Sequence, residues 1–193
     1  CTYCMPAEGL PWLPKPQMLT DDELVRLIAL FVRLGVRQIR LTGGEPLLRQ
    51  SLVDLVARIA ALEPRPTIAM TTNGLGLARL APALKAAGLD RVNVSLDTVD
   101  PQEFLALTRR DRLADVEAGL RAAQDAGLAP VKVNAVVMRG INDGDVADLL
   151  RIGDYLRRKP AQLSGGQAQR VEHGAHAAAA ASGSGRTIEA VRG

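Results

Sequence analysis

Two cysteines, a glycine pair and a set of cations are where this chain could do chemistry. Cys1-Thr2-Tyr3-Cys4 holds its only two cysteines. Thiolates at this spacing serve as soft-metal ligands or as a redox dithiol, and by themselves they could equally be half of a zinc site. Gly43-Gly44-Glu45-Pro46 is the second feature. Glycines without a Cβ let backbone N–H and C=O groups approach a ligand, and the adjacent carboxylate can accept from an ammonium group. Polar side chains close the apolar runs: Arg40 and Thr42, Thr71 and Thr72, Ser95 and Asp97, Lys132 and Asn134. Strand ends are polar in part because loops meet water. Gathered at the carboxyl ends of successive parallel strands, however, they occupy the place where open sheets and barrels both build their sites.

The elements that would position these residues alternate between helix and strand from about residue 20 to 150. Thr20-Asp21-Asp22-Glu23 reads as a capping box. Leu24, Leu27, Ile28, Phe31 and Leu34 follow at helical spacing, and Gly35 stops the helix. Residues 38–42, 66–71, 91–96 and 131–137 read as strands. Helices are expected around Leu52–Ile59, up to Ala87, from Asp100-Pro101, and from Leu113 to Ala126, with Asn142 capping a last one that fades near Arg157. Such a repeat implies right-handed βαβ crossovers and a parallel sheet. Periodicity alone leaves a doubly wound sheet and part of a β/α barrel both open.

Composition narrows the function classes. The net charge is +3, with basic residues interspersed among acidic ones, which is a solvated surface rather than a nucleic-acid footprint. No apolar run reaches the roughly 18 residues a membrane span needs. Two cysteines make no secreted disulfide framework, so the expected location is cytoplasmic. Aromatic residues are 3% of the chain, so the core must rest on Leu, Val, Ile and Ala.

Together the motifs resemble a known family. Cys1-Thr2-Tyr3-Cys4-Met5-Pro6 is similar to the end of the C-x3-C-x2-C loop of radical S-adenosylmethionine (SAM) enzymes, and Gly43-Gly44-Glu45-Pro46 to their methionine-binding segment. Within them, Arg40–Arg49, Thr71–Gly74, Asn93–Asp97 and Val131–Asn134 resemble the GTP 3′,8-cyclases of molybdenum cofactor biosynthesis, over about residues 1–150. The resemblance implies an α/β fold, a partial parallel β/α barrel truncated at both ends. It implies a lyase with a [4Fe–4S] cluster and SAM as cofactors. An electron from the cluster would cleave SAM to a 5′-deoxyadenosyl radical that takes the C3′ hydrogen of GTP. The sugar radical would attack C8 to give (8S)-3′,8-cyclo-7,8-dihydroguanosine 5′-triphosphate.

Residue by residue, it implies that Cys1 and Cys4 ligate the cluster, with a third cysteine four residues upstream. Tyr3, Gly43, Gly44 and Ser95 would contact SAM, with Glu45 near its ammonium. Arg40, Thr71 and Lys132 would bind GTP. The implied partners are GTP and an electron-donor protein, with no nucleic acid or membrane, and a homodimer in the complete family member. The missing third cysteine and second, C-terminal cluster loop predict that the chain by itself is inactive.

Residues 1–157 are thus expected to be a radical SAM core, and 158–193 a foreign or frame-shifted tail, mostly disordered. Leu163-Ser164-Gly165-Gly166-Gln167 resembles the signature segment of ABC transporter ATPases, but no G-x4-G-K-[ST] occurs in the chain. His173 and His176 read as solvent-exposed bystanders. The competing readings are another radical SAM enzyme, a thiol–disulfide oxidoreductase for which the Gly-Gly-Glu-Pro loop has no use, an ATPase fragment, and a non-functional chimeric fragment.

Overall fold

A computed structural model of the chain describes Thr2, residues 18–145 and the backbone of residues 186–191. Five strands, β1 (Gln38–Leu41), β2 (Thr67–Thr72), β3 (Arg91–Ser95), β4 (Lys132–Val137) and β5 (Arg186–Val191), form one sheet in the order β1-β2-β3-β4-β5. β1 to β4 are parallel, and β5 runs antiparallel to β4. The helices are α1 (Asp21–Arg33), α2 (Leu52–Ala60), α3 (Leu77–Ala86), α4 (Pro101–Thr108) and α5 (Leu113–Asp125).

The strand order decides between the two expected architectures. A doubly wound sheet reverses its order at a switch point and carries helices on both faces. Here every parallel step goes the same way, so right-handed crossovers place the helices on one face, as in a β/α barrel. The parallel sheet is part of such a barrel and is not closed.

Alternation along the strands shows which face the helices cover. Ile68 and Met70 of β2, Val92 and Val94 of β3, and Val133 and Ala135 of β4 join the core with Leu55, Val56 and Ile59 of α2, Leu77 and Leu84 of α3, and Leu120 of α5. In α2, Leu52, Leu55, Val56 and Ile59 are all buried, the i, i+3, i+4, i+7 stripe of an amphipathic helix. Each such side chain contributes roughly 1.5–3 kcal/mol of burial free energy.

The capping box of α1 is present: Glu23 N–H donates to Thr20 Oγ1 at 3.2 Å, and Thr20 N–H to Glu23 Oε2 at 2.8 Å. Its apolar residues, however, do not share one face. Leu24, Val25 and Ile28 pack against the core, whereas Leu27, Leu30, Phe31 and Leu34 stay 40–73% exposed. The Asn142 side chain turns back along the chain, its Oδ1 accepting from Met138 N–H at 2.7 Å. Among the described residues Asn142 is followed only by a single 3-10 turn, Asp143–Asp145, and the stretch toward Arg157 lies outside them. Within the tail expected to be mostly disordered, Arg186–Val191 is a strand. The edge of β4 offers unpaired N–H and C=O groups that an extended segment can meet.

After β3 the chain gathers acidic groups around the start of α4. Asp100 caps the helix, accepting from Gln102 N–H at 2.8 Å and Glu103 N–H at 2.9 Å. Thr98 Oγ1 donates to Asp145 Oδ2, and Glu103 Oε2 is buried without a partner. Loss of solvation first, then the negative charge of Asp145, raises the Glu103 pKa above the usual glutamate value. A carboxyl whose folded pKa is raised favours the fold below the unfolded pKa, and that contribution is lost as pH rises through the folded value. Glu103→Gln should therefore raise the thermal unfolding midpoint at pH 7. The gain should shrink as pH falls toward the ordinary glutamate range. Melting curves followed by circular dichroism at both pH values check this; an equal gain at both would contradict it.

Candidate functional site at the carboxyl edge of the sheet

The face of the sheet turned away from the helices is polar. β1 places Gln38 and Arg40 there; β2 places Thr67, Ala69 and Thr71. β3 adds Arg91, Asn93 and Ser95, and β4 adds Lys132 and Asn134. None of these side chains is a carboxylate. A sheet face lined this way repels apolar packing and attracts anions.

Strand register arranges these residues in rows. Arg40 stands opposite Ala69, and Ala69 opposite Arg91. One step closer to the carboxyl edge, Thr71 is opposite Asn93, and Asn93 opposite Lys132. Ser95 is then paired with Asn134. Arg40 Nη1 donates to Thr71 Oγ1 at 3.3 Å, joining the first two rows. The register thus brings Arg40, Thr71 and Lys132 onto one surface, with Ser95 exposed at its upper end.

Gly43 and Gly44 follow β1 at this edge. A Cβ on either would meet nothing within 4 Å, and Gly43 has φ +147°, in the region that favours glycine. Their backbone groups are therefore open at the same carboxyl edge at which Ser95 ends β3, with β2 between the two. Glu45 is differently engaged. Its carboxylate accepts from Thr72 Oγ1 at 2.6 Å, Asn73 N–H at 2.8 Å and Leu47 N–H at 3.0 Å. Glu45 thereby ties the loop after β1 to the end of β2, and it presents Gly43 and Gly44 by holding the loop in place.

Thr72 is 2% exposed, and its hydroxyl also accepts from Gly74 N–H at 3.1 Å. The neighbouring loop is tied in the same manner. Val136 N–H donates to Asp97 Oδ1 at 3.0 Å, and Asn142 Nδ2 donates to Asp97 O at 2.7 Å and to Val136 O at 2.9 Å. Asn142 is fully buried, so this link between the ends of β3 and β4 is shielded from water. Sequence reasoning missed its role. The only available signal was an asparagine in a polar turn, which equally suits a helix cap.

Cys1, Tyr3 and Cys4 lie outside the described residues, as do Leu163–Gln167, His173 and His176. Thr2, between the cysteines, donates its N–H to Leu107 O in α4 at 2.9 Å. Among the described residues no group of three or more His, Cys, Asp or Glu side chains could hold a metal. The two thiols of the Cys-x-x-Cys pair are the soft donors an iron–sulfur cluster takes. Among the described residues no helix is long and apolar enough to cross a membrane.

Comparison with known proteins identifies the family. The model of the radical SAM superfamily matches residues 1–152. The chain is 66% identical over 151 residues to a GTP 3′,8-cyclase of Streptomyces coelicolor, covering 78% of this chain and 44% of that one. It is 62% identical over 152 residues to one from Mycobacterium sp. strain KMS, covering 78% and 43%. With one from Corynebacterium glutamicum strain R it shares 56% over 168 residues, covering 84% and 44%. The chain thus spans less than half the length of these relatives. A family match over most of the chain, on a one-sided parallel sheet with a glycine-lined carboxyl edge, shows that it belongs to the radical SAM superfamily.

Proposed function

We propose that this chain supplies the cofactor- and substrate-binding sheet of a GTP 3′,8-cyclase, a lyase that joins C3′ and C8 of GTP in molybdenum cofactor biosynthesis. The observation that carries the reading is the placement of Arg40, Thr71 and Lys132 on one face of the four parallel strands, to which β1–β4 themselves contribute no carboxylate. Two cations of different geometry suit a triphosphate, Arg as a fork and Lys as a point charge. The names of the relatives support GTP as the ligand.

In this reading Cys1 and Cys4 hold the cluster, Tyr3, Gly43, Gly44 and Ser95 hold SAM, and Glu45 fixes the glycine loop near its ammonium. Cluster and SAM, when bound, supply one-electron hydrogen abstraction. The sheet's own part is to bind and orient: Arg40 and Lys132 hold the phosphates, Thr71 adds a hydroxyl between them, and the glycine loop presents its backbone at the carboxyl edge. The reaction needs an external electron donor, and the expected setting is the cytoplasm, with the complete enzyme a homodimer. Residues 1–157 form the radical SAM portion, and 158–193 a segment of different origin.

Competition separates this reading from a radical SAM enzyme with another substrate. Fluorescent GTP bound to the chain should be displaced by unlabelled GTP at far lower concentration than by ATP. Equal displacement by both would reject guanosine specificity, and no binding of GTP at all would reject the reading.

A further inference from the structure

We infer that Arg91 and Asn93 of β3 are two further nucleotide-binding residues, Arg91 for the phosphates and Asn93 for the sugar hydroxyls of the nucleotide on the polar sheet face. The inference rests on the reading of that face as the GTP site.

Both residues carry unmet hydrogen-bonding capacity. Arg91 Nη2 donates to Gln38 Oε1, but its Nε is buried with no partner, and so is Asn93 Oδ1. Asn93 is only 2% exposed. A buried polar atom without a partner costs free energy and is kept in a native structure for a reason. Both atoms belong to side chains on the polar face, since Val92 and Val94 between and beside them point into the helix-covered core.

The chemistry of each atom selects its part of the ligand. Arg91 Nε–H is a charged donor, and phosphate oxygens are its best acceptors. Arg40 lies two strands away in the same row, about 10 Å between backbones at the usual strand spacing. The two guanidinium groups can therefore close on one phosphate chain from opposite sides. Asn93 Oδ1 only accepts, so a phosphate oxygen cannot meet it and its partner must bring an O–H or N–H. Asn93 is one row nearer the carboxyl edge than Arg91, about 7 Å along the strand, and Ser95 is one row beyond. Phosphates centred on the Arg40–Arg91 row are met from the next row by the long Lys132 side chain and by the Thr71 hydroxyl that Arg40 already bonds, and the sugar then lies over Asn93. Its reactive carbon then faces the edge where Gly43, Gly44 and Ser95 lie.

Titration calorimetry of the full chain with GTP, guanosine and 2′,3′-dideoxy-GTP tests both assignments as ratios within each variant. Loss of folded protein lowers both affinities of a pair and leaves their ratio unchanged. Wild type should prefer GTP over guanosine by at least about 100-fold, given several charge-assisted contacts. Arg91→Ala should cut that preference by about 10-fold or more, and Arg91→Lys, which keeps a point charge, by less. Asn93→Ala should abolish the preference for GTP over the dideoxy nucleotide, and Asn93→Ser, with a shorter acceptor, should restore part of it. Arg121→Ala, a charge removed from α5 on the other side of the sheet, should change neither ratio. Wild-type ratios in Arg91→Ala or Asn93→Ala would overturn the corresponding assignment and leave the GTP reading standing. A wild-type chain that binds GTP no better than guanosine would overturn that reading and this inference together.

Discussion

Replacing Gly119 with valine should destabilise the fold by about 3 kcal/mol, although nothing about a helical glycine invites that expectation. Gly119 is buried in α5. In an open helix, glycine to alanine gains roughly 1 kcal/mol of helix propensity. Here a Cβ would stand 2.8 Å from the carbonyl oxygen of Gly74 and 3.1 Å from Leu77 Cβ. The closest atom is backbone and cannot swing aside. Gly74 in turn has φ +82°, and a Cβ there would meet Val116 at 3.0 Å and Val94 at 3.1 Å. Two facing glycines thus let α5 settle against the turn that ends β2, the same turn whose Thr72 and Asn73 hold Glu45. Even Gly119→Ala should lower stability, reversing the propensity rule, and Gly119→Val should do so strongly because its branched carbons press further into the turn. Urea unfolding of the three proteins decides the point. An alanine variant as stable as wild type or more so would show that the turn yields at little cost.

Much of the fold was legible because local signals and global topology agree. Thr20 and Glu23 announced the start of α1, Asp100-Pro101 that of α4, and the β-branched runs marked each of β1 to β4 within a residue or two, though not β5. What could not be read was the partner of each face. The spacing of Leu27, Phe31 and Leu34 is helical whether or not anything packs on them, and the fold leaves all three exposed. Strand order, too, is carried by crossovers and not by periodicity, so the barrel-like arrangement came from the family resemblance and then from the register, not from the spacing of apolar residues.

The site was legible as motifs but not as geometry. Arg40, Thr71 and Lys132 stand in three separate segments, and only the pairing of β1 through β4 places them on one face. Glu45 looked like a free carboxylate beside two glycines, yet three donors already engage it. Arg91 gave no signal and Asn93 entered only as part of a family segment with no role of its own, because an Arg-Val-Asn-Val run is an ordinary alternating strand. Their unmet atoms become visible only with burial and hydrogen bonds on hand. Asn142 shows the reverse case, a residue whose polarity was noticed and whose partner was not.

Removing both Arg40 and Lys132 should nearly eliminate GTP binding. Each truncation deletes a charged contact to a phosphate, a loss of about 1.4–2.7 kcal/mol, or about 10- to 100-fold in affinity. The residues sit on β1 and β4, three strand spacings and about 14 Å apart. Contacts that far apart, to different parts of one ligand, lose affinity additively, so the double variant should bind about 100- to 10,000-fold more weakly than wild type. Binding should also lose part of its salt sensitivity with each cation removed. SAM binding, assigned to the glycine loop and Ser95, should change little. The same truncations leave the helix-covered core untouched, so unfolding curves should stay close to wild type. The most direct measurement is therefore a GTP titration of wild type, Arg40→Ala, Lys132→Ala and the double variant at low and moderate salt. A stepwise, additive loss of affinity with a shrinking salt dependence is predicted. A double variant that binds GTP as tightly as wild type would contradict the claim that this polar sheet face is the nucleotide site.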